Sequence, residues 1–291
     1  EDFTREYPVV LSTTYSIKGT LNPNHVYDYI IVDEASQVDL ATGVLAFSCA
    51  KNIVIVGDLK QLPNVVTEAD IEISDAIWQK YSLEERYHFS THSMLSSALE
   101  TWPDAPTTLL REHYRCHPKI IDFCNQKFYN GQLIIMTKDN NEPDALTMYR
   151  TVAGNHARGR TNQRQIDVIQ QEVIPHLRQK NYNSIGIITP YRDQVSAIRR
   201  QLGDSYEVDT VHKFQGREKD AIILTSVDNV ISDFVDDPHM LNVAVSRAVH
   251  SLTVVTSQDS RNNQTNYRDL MRYIEYNNFE VIQSQVYSVF D

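Results

Sequence analysis

The chain has 291 residues with a hydrophobic fraction of 41% and 22% charged residues, a composition ordinary for a globular protein and long enough for two compact lobes. No apolar run approaches the roughly 18 residues of a membrane span, and no signal peptide is visible in the charged, polar first residues. The 3 cysteines are too few for a disulfide framework, so a reducing cytoplasmic or nuclear setting is expected. The net charge of -11 argues against nucleic acid unless Lys and Arg gather locally.

In chain order, β-branched apolar runs predict strands at 8–12, 29–33, 52–57, 184–189, 206–210, 221–226 and 251–256. Several are continuous rather than alternating, as in strands covered on both faces. Between them, Ile166, Ile169, Val173 and Leu177 recur at helical spacing, as do Val195, Ile198 and Leu202. The stretch 71–102 reads as helical but irregular, ending at Trp102-Pro103. Residues 139–145 and 154–159 read as loops. The alternation predicts an α/β fold of parallel sheets flanked by helices. Its expected parts are a first lobe over 1–80, a connecting helical segment over 81–105 and a second lobe over 106–291.

Several strings point to chemistry. In Tyr29-Ile-Ile-Val-Asp-Glu-Ala-Ser36 an apolar strand stops at two acids, and ligands bind at the carboxyl ends of parallel strands. One carboxylate there suits magnesium, a hard cation, and the other suits activation of water. A second apolar strand runs into Gly57-Asp-Leu-Lys-Gln-Leu-Pro63, where the Gln61 amide can both donate and accept toward a phosphate. His113, Cys116, His117 and Cys124 have ligand types that suit zinc. The preferred reading puts Cys124 in the apolar stripe of a helix opening at Pro118, with Ile120, Ile121 and Phe128. Arg158, Arg160 and Arg164 gather at a loop-to-helix junction where Asn162 is a candidate cap. They suit phosphate contacts or a solvated loop equally.

The acidic strand end and the loop at 57–63 resemble motifs II and III of superfamily 1 helicases. The nearest branch is that of the nonsense-mediated-decay RNA helicase and the replication nuclease-helicases. The remaining motifs follow in the family's order: Leu110-Arg-Glu-His-Tyr-Arg-Cys-His-Pro118 resembles motif IV and Ile185-Gly-Ile-Ile-Thr-Pro-Tyr-Arg-Asp-Gln194 motif IVa. Thr210-Val-His-Lys-Phe-Gln-Gly-Arg-Glu-Lys-Asp220 resembles motif V and Leu241-Asn-Val-Ala-Val-Ser-Arg-Ala248 motif VI. His212-Lys213 departs from the decay-helicase version.

The resemblance implies two RecA-like lobes and an enzyme that uses ATP and Mg2+ to move along single-stranded DNA or RNA. It implies Asp33 as the metal carboxylate and Glu34 as the base. Gln61, Arg115 and Arg247 would sense the γ-phosphate. Tyr114 would lie against adenine, Gly216 near phosphate and Glu218 on the nucleotide sugar, with Thr189, Tyr191 and Thr210 facing nucleic acid. The family also needs a Gly-Lys-Ser/Thr phosphate loop, and none of the 9 glycines is followed by lysine. The chain is therefore expected to be a fragment whose first lobe is truncated and whose missing upstream part carries that loop. On its own it is expected to be inactive. The alternatives are a catalytically inactive module that binds nucleic acid or protein, and an unrelated nucleotide-binding α/β enzyme.

Overall fold

A computed structural model describes residues 2–20, 22, 25–140, 145–257 and 265–287. Of the loop expected at 139–145, residues 141–144 lie outside the described residues. The chain divides between Thr108 and Leu109 into two compact units.

In the first unit, β1 (Tyr27–Val32) and β2 (Ala50–Ile55) pair in parallel, with Ile30 opposite Ile53 and Val32 opposite Ile55. The crossover is α1 (Leu40–Phe47), whose first turn is capped by Asp39 Oδ1 accepting from the Thr42 amide at 2.9 Å. Helix α2 (Glu68–Tyr81) is capped by Thr67 and buries none of its residues. Helix α3 (Met94–Thr101) starts at a reciprocal cap between Ser93 and Ser96. Its Met94 and Leu95 pack against Val32, Ala35 and Ala46, and the Met94 amide donates to the Val38 carbonyl at 2.7 Å. The segment expected to be a connector is thus built into the first unit.

The strand expected at 8–12 is not present: Val9 and Leu11 are exposed, and the run pairs with no strand among the described residues. An apolar run becomes a strand only where a neighbour takes up its ladder. Tyr29, Ile31 and Val54 also remain exposed on the two-stranded sheet.

The second unit is built on β3 (Leu146–Arg150), β4 (Ile185–Thr189), β5 (Glu207–Thr210), β6 (Lys219–Thr225), β7 (Ala248–Thr256) and β8 (Glu280–Gln283). All pair in parallel, in the order β8-β3-β7-β6-β4-β5. The helices are α4 (Pro118–Phe128), α5, α6 (Arg192–Leu202), α7 (Val211–Phe214), α8 (Pro238–Val245) and α9 (Asn266–Tyr276). Helix α5 runs through Gln163–Val168, a wider π turn at Ile169–Val173, and Ile174–Gln179. As expected, α4 opens at Pro118 with Cys124 buried in its apolar stripe.

Ile166, Ile169, Val173 and Leu177 of α5, with Val195 and Ile198 of α6, pack on Ile187, Ala221, Ile223 and Val255. The alternate strand residues Ile222, Leu224, Leu252 and Val254 are equally buried, toward the side of α4, α8 and α9. Cover on both faces is why β4, β6 and β7 read as unbroken apolar runs. Strands β3 and β8 were not expected, because polar residues interrupt the first and the second offers only Val281 and Ile282. The expected loop at 154–159 includes one arm of a small antiparallel pairing, Ala157–Arg158 against Thr161–Asn162. A parallel sheet between helical layers is the α/β, RecA-like fold. No helix among the described residues is long and apolar enough to cross a membrane.

Candidate functional site

In the first unit the chain leaves β1 at Val32 and places Asp33 in solvent, its Oδ1 accepting from the Glu34 amide at 2.8 Å. Glu34 adopts a left-handed conformation (φ 52°) that turns the chain sharply. Gln37 Nε2 donates to Glu34 Oε2 at 3.2 Å. The loop after β2 is fastened to this turn: Ala35 N donates to the Val56 carbonyl and Asn64 N to the Ser36 carbonyl, both at 2.9 Å.

Gly57 permits that approach. A Cβ there would lie 3.0 Å from Leu95 Cδ2 and 3.1 Å from the amide nitrogens of Ala35 and Ser36. Asp58 anchors the loop by accepting from Lys60 N at 2.8 Å and from Gln61 Nε2 at 3.2 Å. Asp33, Glu34 and Gln61 therefore share the carboxyl edge of β1 and β2. A single solvent-facing carboxylate fits magnesium, which keeps several waters and takes one or two carboxylates alongside phosphate oxygens. Among the described residues no group of three or more His, Cys, Asp or Glu is arranged to hold a metal on its own.

In the second unit, motifs far apart in sequence meet at the amino ends of β6 and β7. Arg115 Nε lies 2.7 Å from Glu218 Oε2. Arg247, which is buried, donates from Nε to the Val243 carbonyl at 3.1 Å and from Nη2 to Ser246 Oγ at 3.1 Å. The turn from α8 into β7 is strapped to the residues that open α4: Cys116 Sγ donates to the Ser246 carbonyl at 3.3 Å and His117 N to the Val249 carbonyl at 2.7 Å.

His113 and Cys116 register the charges gathered here. Burial, then the guanidinium groups of Arg115 and Arg247, lower His113 to about 4. Burial pushes the Cys116 thiol up to about 12, the two guanidiniums opposing and Glu218 adding to the rise. Neutral His113 accepts the Cys116 amide on Nε2 at 2.8 Å. The Tyr114 ring is 66% exposed and its hydroxyl donates to Glu112. Gly216 has φ 76° with open space where a side chain would stand, so its backbone conformation is what calls for glycine.

The three residues expected to face nucleic acid lie at the opposite, carboxyl edge. Thr189 and Thr210 end β4 and β5 and are partners in register. Thr189, however, is 0% exposed, so its hydroxyl does not face solvent, and Thr210 is largely buried. Sequence periodicity does not delimit burial at strand ends, and here it extends to the last residue of each strand. Tyr191 is half-buried, and its hydroxyl donates to Asp228 Oδ2 at 3.1 Å.

The arginine trio does not act as one group. Arg164 is buried and donates to the Val286 carbonyl at 2.6 Å. Arg158 donates to the carbonyls of Asn155 and Ala157, both at 3.0 Å. Arg160 lies over the Tyr191 ring, 5.8 Å from its centroid. Asn162 does cap α5, its Oδ1 accepting from Gln165 N at 3.1 Å.

Sequence reading missed a buried polar network behind this edge. Gln165 Oε1 accepts from Val227 N at 2.9 Å and from the Thr225 hydroxyl, while Asn162 Nδ2 donates to the Val227 carbonyl at 2.7 Å. Val227 is thereby held at φ 63°, a conformation costly for a β-branched residue. Nothing in a Ser-Val-Asp string announces it.

The acidity is also unevenly placed. Residues 1–108 carry 6 Lys and Arg against 16 Asp and Glu, whereas residues 109–291 carry 21 against 22. Nearly all of the -11 belongs to the first unit, so the charge argument against nucleic acid does not reach the second.

A family model described as an AAA domain matches residues 90–259, and another of the same description matches residues 1–69. The chain is similar to an ATP-dependent helicase of Caenorhabditis elegans, 28% identical over 92% of this chain and 18% of that protein. It is similar to the DNA replication ATP-dependent helicase/nuclease of Arabidopsis thaliana, 29% identical over 86% of this chain and 20% of that one. The corresponding helicase/nuclease of Schizosaccharomyces pombe is 25% identical over 99% of this chain and 23% of its own length. The chain thus spans about a fifth of these relatives. With motifs II to VI in order on a RecA-like fold, the chain belongs to the AAA-domain superfamily 1 helicases, in the branch of the nonsense-mediated-decay and replication helicases.

Proposed function

We propose that this chain is part of an ATP-driven helicase or translocase that moves along single-stranded DNA or RNA in the cytoplasm or nucleus. The observation that carries the reading is the meeting of Arg115, Glu218 and Arg247 at one end of the second unit's sheet. In the first unit, Asp33 would hold the magnesium of a bound nucleotide, Glu34 would orient and deprotonate the attacking water, and Gln61 would sense the terminal phosphate. In the second, Arg115 and Arg247 stabilise charge developing on the γ-phosphate. The Tyr114 ring lies against adenine, Glu218 takes the sugar and the Gly216 amide approaches phosphate. The Arg115–Glu218 pair opens as both groups turn to the nucleotide. ATP with magnesium supplies the free energy that drives movement.

The phosphate cradle must come from chain beyond these residues. The exposed Tyr29, Ile31 and Val54 suit cover by further elements of the same lobe, since parallel sheets are ordinarily buried on both faces. On this reading the 291-residue chain has negligible ATPase activity, whereas a protein that includes an upstream Gly-Lys-Ser/Thr loop turns ATP over. In that longer protein Arg247→Ala lowers turnover by about a thousandfold or more. Robust hydrolysis by the 291-residue chain, abolished by Glu34→Gln, overturns the assignment of inactivity. The absent loop also favours a second reading, a binding module without turnover. That reading requires a natural protein with no such loop upstream.

A further inference from the structure

Resting on the nucleic-acid reading above, we infer that Phe234 is a base-stacking residue, the exposed ring of an aromatic pair at the carboxyl edge of the second unit. Phe234 is 49% exposed, and its ring stacks on Tyr191 with centroids 5.5 Å apart and planes 21° from parallel. Arg160 lies over the Tyr191 ring, 5.8 Å from its centroid. Tyr191 thus contacts both a guanidinium and a second ring, and that second ring is half exposed.

The stack is fixed rather than incidental. The Tyr191 hydroxyl donates to Asp228 Oδ2 at 3.1 Å and sits 3.1 Å from Ser232 Oγ, which itself donates to Asp228 Oδ2 at 2.7 Å. Asp228 in turn follows the left-handed Val227, whose amide and carbonyl are both gripped by buried side chains of α5. Backbone strain of this kind persists only where surrounding structure over-determines it. Here it sets the carboxylate that orients Tyr191, and through Tyr191 the plane of Phe234.

The occupant that fits is a nucleobase of a single strand. An aromatic face backed by a second ring and a guanidinium offers stacking without hydrogen-bond readout, so it is tolerant of base identity. The stack lies beside the ends of β4 and β5, where the expected nucleic-acid residues Thr189 and Thr210 are closed off. Phe234 is therefore the aromatic of this edge that a base can reach. Asp228 and Val227 are positioning residues.

The test is fluorescence anisotropy of the 291-residue chain at low salt. The probes are thymidine and uridine oligomers of about twelve nucleotides, within the site size of such surfaces, and an abasic oligomer of equal length. The chain is expected to prefer the base-bearing strands. Phe234→Ala should weaken their binding about five- to tenfold while leaving abasic binding unchanged, and Phe234→Trp should retain the preference. The thymidine and uridine arms report which sugar the stack accepts. Unchanged affinity for both base-bearing oligomers in Phe234→Ala, or an equal loss on the abasic strand, overturns the stacking role. Failure to bind any of the three overturns the nucleic-acid reading itself.

Discussion

The two units are built from the same kind of element but differ in how much each element hides. In the second, Ile187, Ile222, Ile223, Leu252 and Val254 are sealed between helices on both sides of six parallel strands. In the first, two strands stand alone, α2 buries nothing, and Ile31 is 69% exposed. Burial of apolar area is the main favourable term in folding, so the second unit holds most of the chain's stability. Charge reinforces the contrast, because the first unit also carries the self-repelling acidic excess. Local hydrogen bonding does not follow this division. The turn at Asp33–Glu34 is stitched to its neighbour loop by the Ala35–Val56 and Asn64–Ser36 hydrogen bonds.

The contrast can be broken most directly by amide hydrogen exchange. Amides of β6 and β7 should exchange at least about a hundredfold more slowly than those of β1 and β2, since local opening ranges from nearly free to global unfolding. Equal protection in both sheets would show that burial is a poor guide here. Next in size, Ile223→Ala should cost about 2–5 kcal/mol in urea unfolding. Ile31→Ala should stay within about 0.5 kcal/mol, as surface changes do. A comparable cost for Ile31→Ala would mean that its side is covered in solution.

Gly57→Ala tests the one place where the first unit is tightly packed. The added methyl meets Leu95 and two backbone amides, so a loss of about 1–3 kcal/mol is expected from unfolding of the first unit. A neutral result would mean that the two turns separate easily, and with them Glu34 and Gln61.

A separate effect is expected with pH. His113 titrates at about 4 in the folded chain, below its ordinary 6.5, because of burial and the two nearby guanidiniums. The unfolded chain therefore takes up a proton that the folded state refuses. Stability is unaffected above pH 6.5, erodes as pH falls from 6.5 toward 4, and levels off below that. His113→Asn keeps an acceptor for the Cys116 amide and should flatten that segment of the stability profile. An unchanged slope would remove His113 as its source.

Much of this protein is written locally. Continuous apolar runs announced β4, β6 and β7, because strands buried on both faces need apolar residues at every position, and shorter β-branched runs marked β1, β2 and β5. Asn162 as a cap and Pro118 as a helix start were legible for the same reason, since each acts on amides within a turn of itself. Motif order alone brought the family and the candidate residues into view.

Tertiary structure decided what depends on partners distant in the chain. Whether the run at 8–12 forms a strand depends on a neighbour to pair with, and whether 94–101 is connector or core depends on Val32 and Ala46. Arg164 and Arg160 are four residues apart in one polar stretch, yet a remote carbonyl claims the first and a tyrosine face the second. The fate of Thr189 rests on burial that reaches the strand end, and the reach of Phe234 rests on a strained valine held by side chains some sixty residues earlier. A sequence records which residues have chemistry to offer. Only packing across the sheet determines which of them solvent, and hence a ligand, can touch.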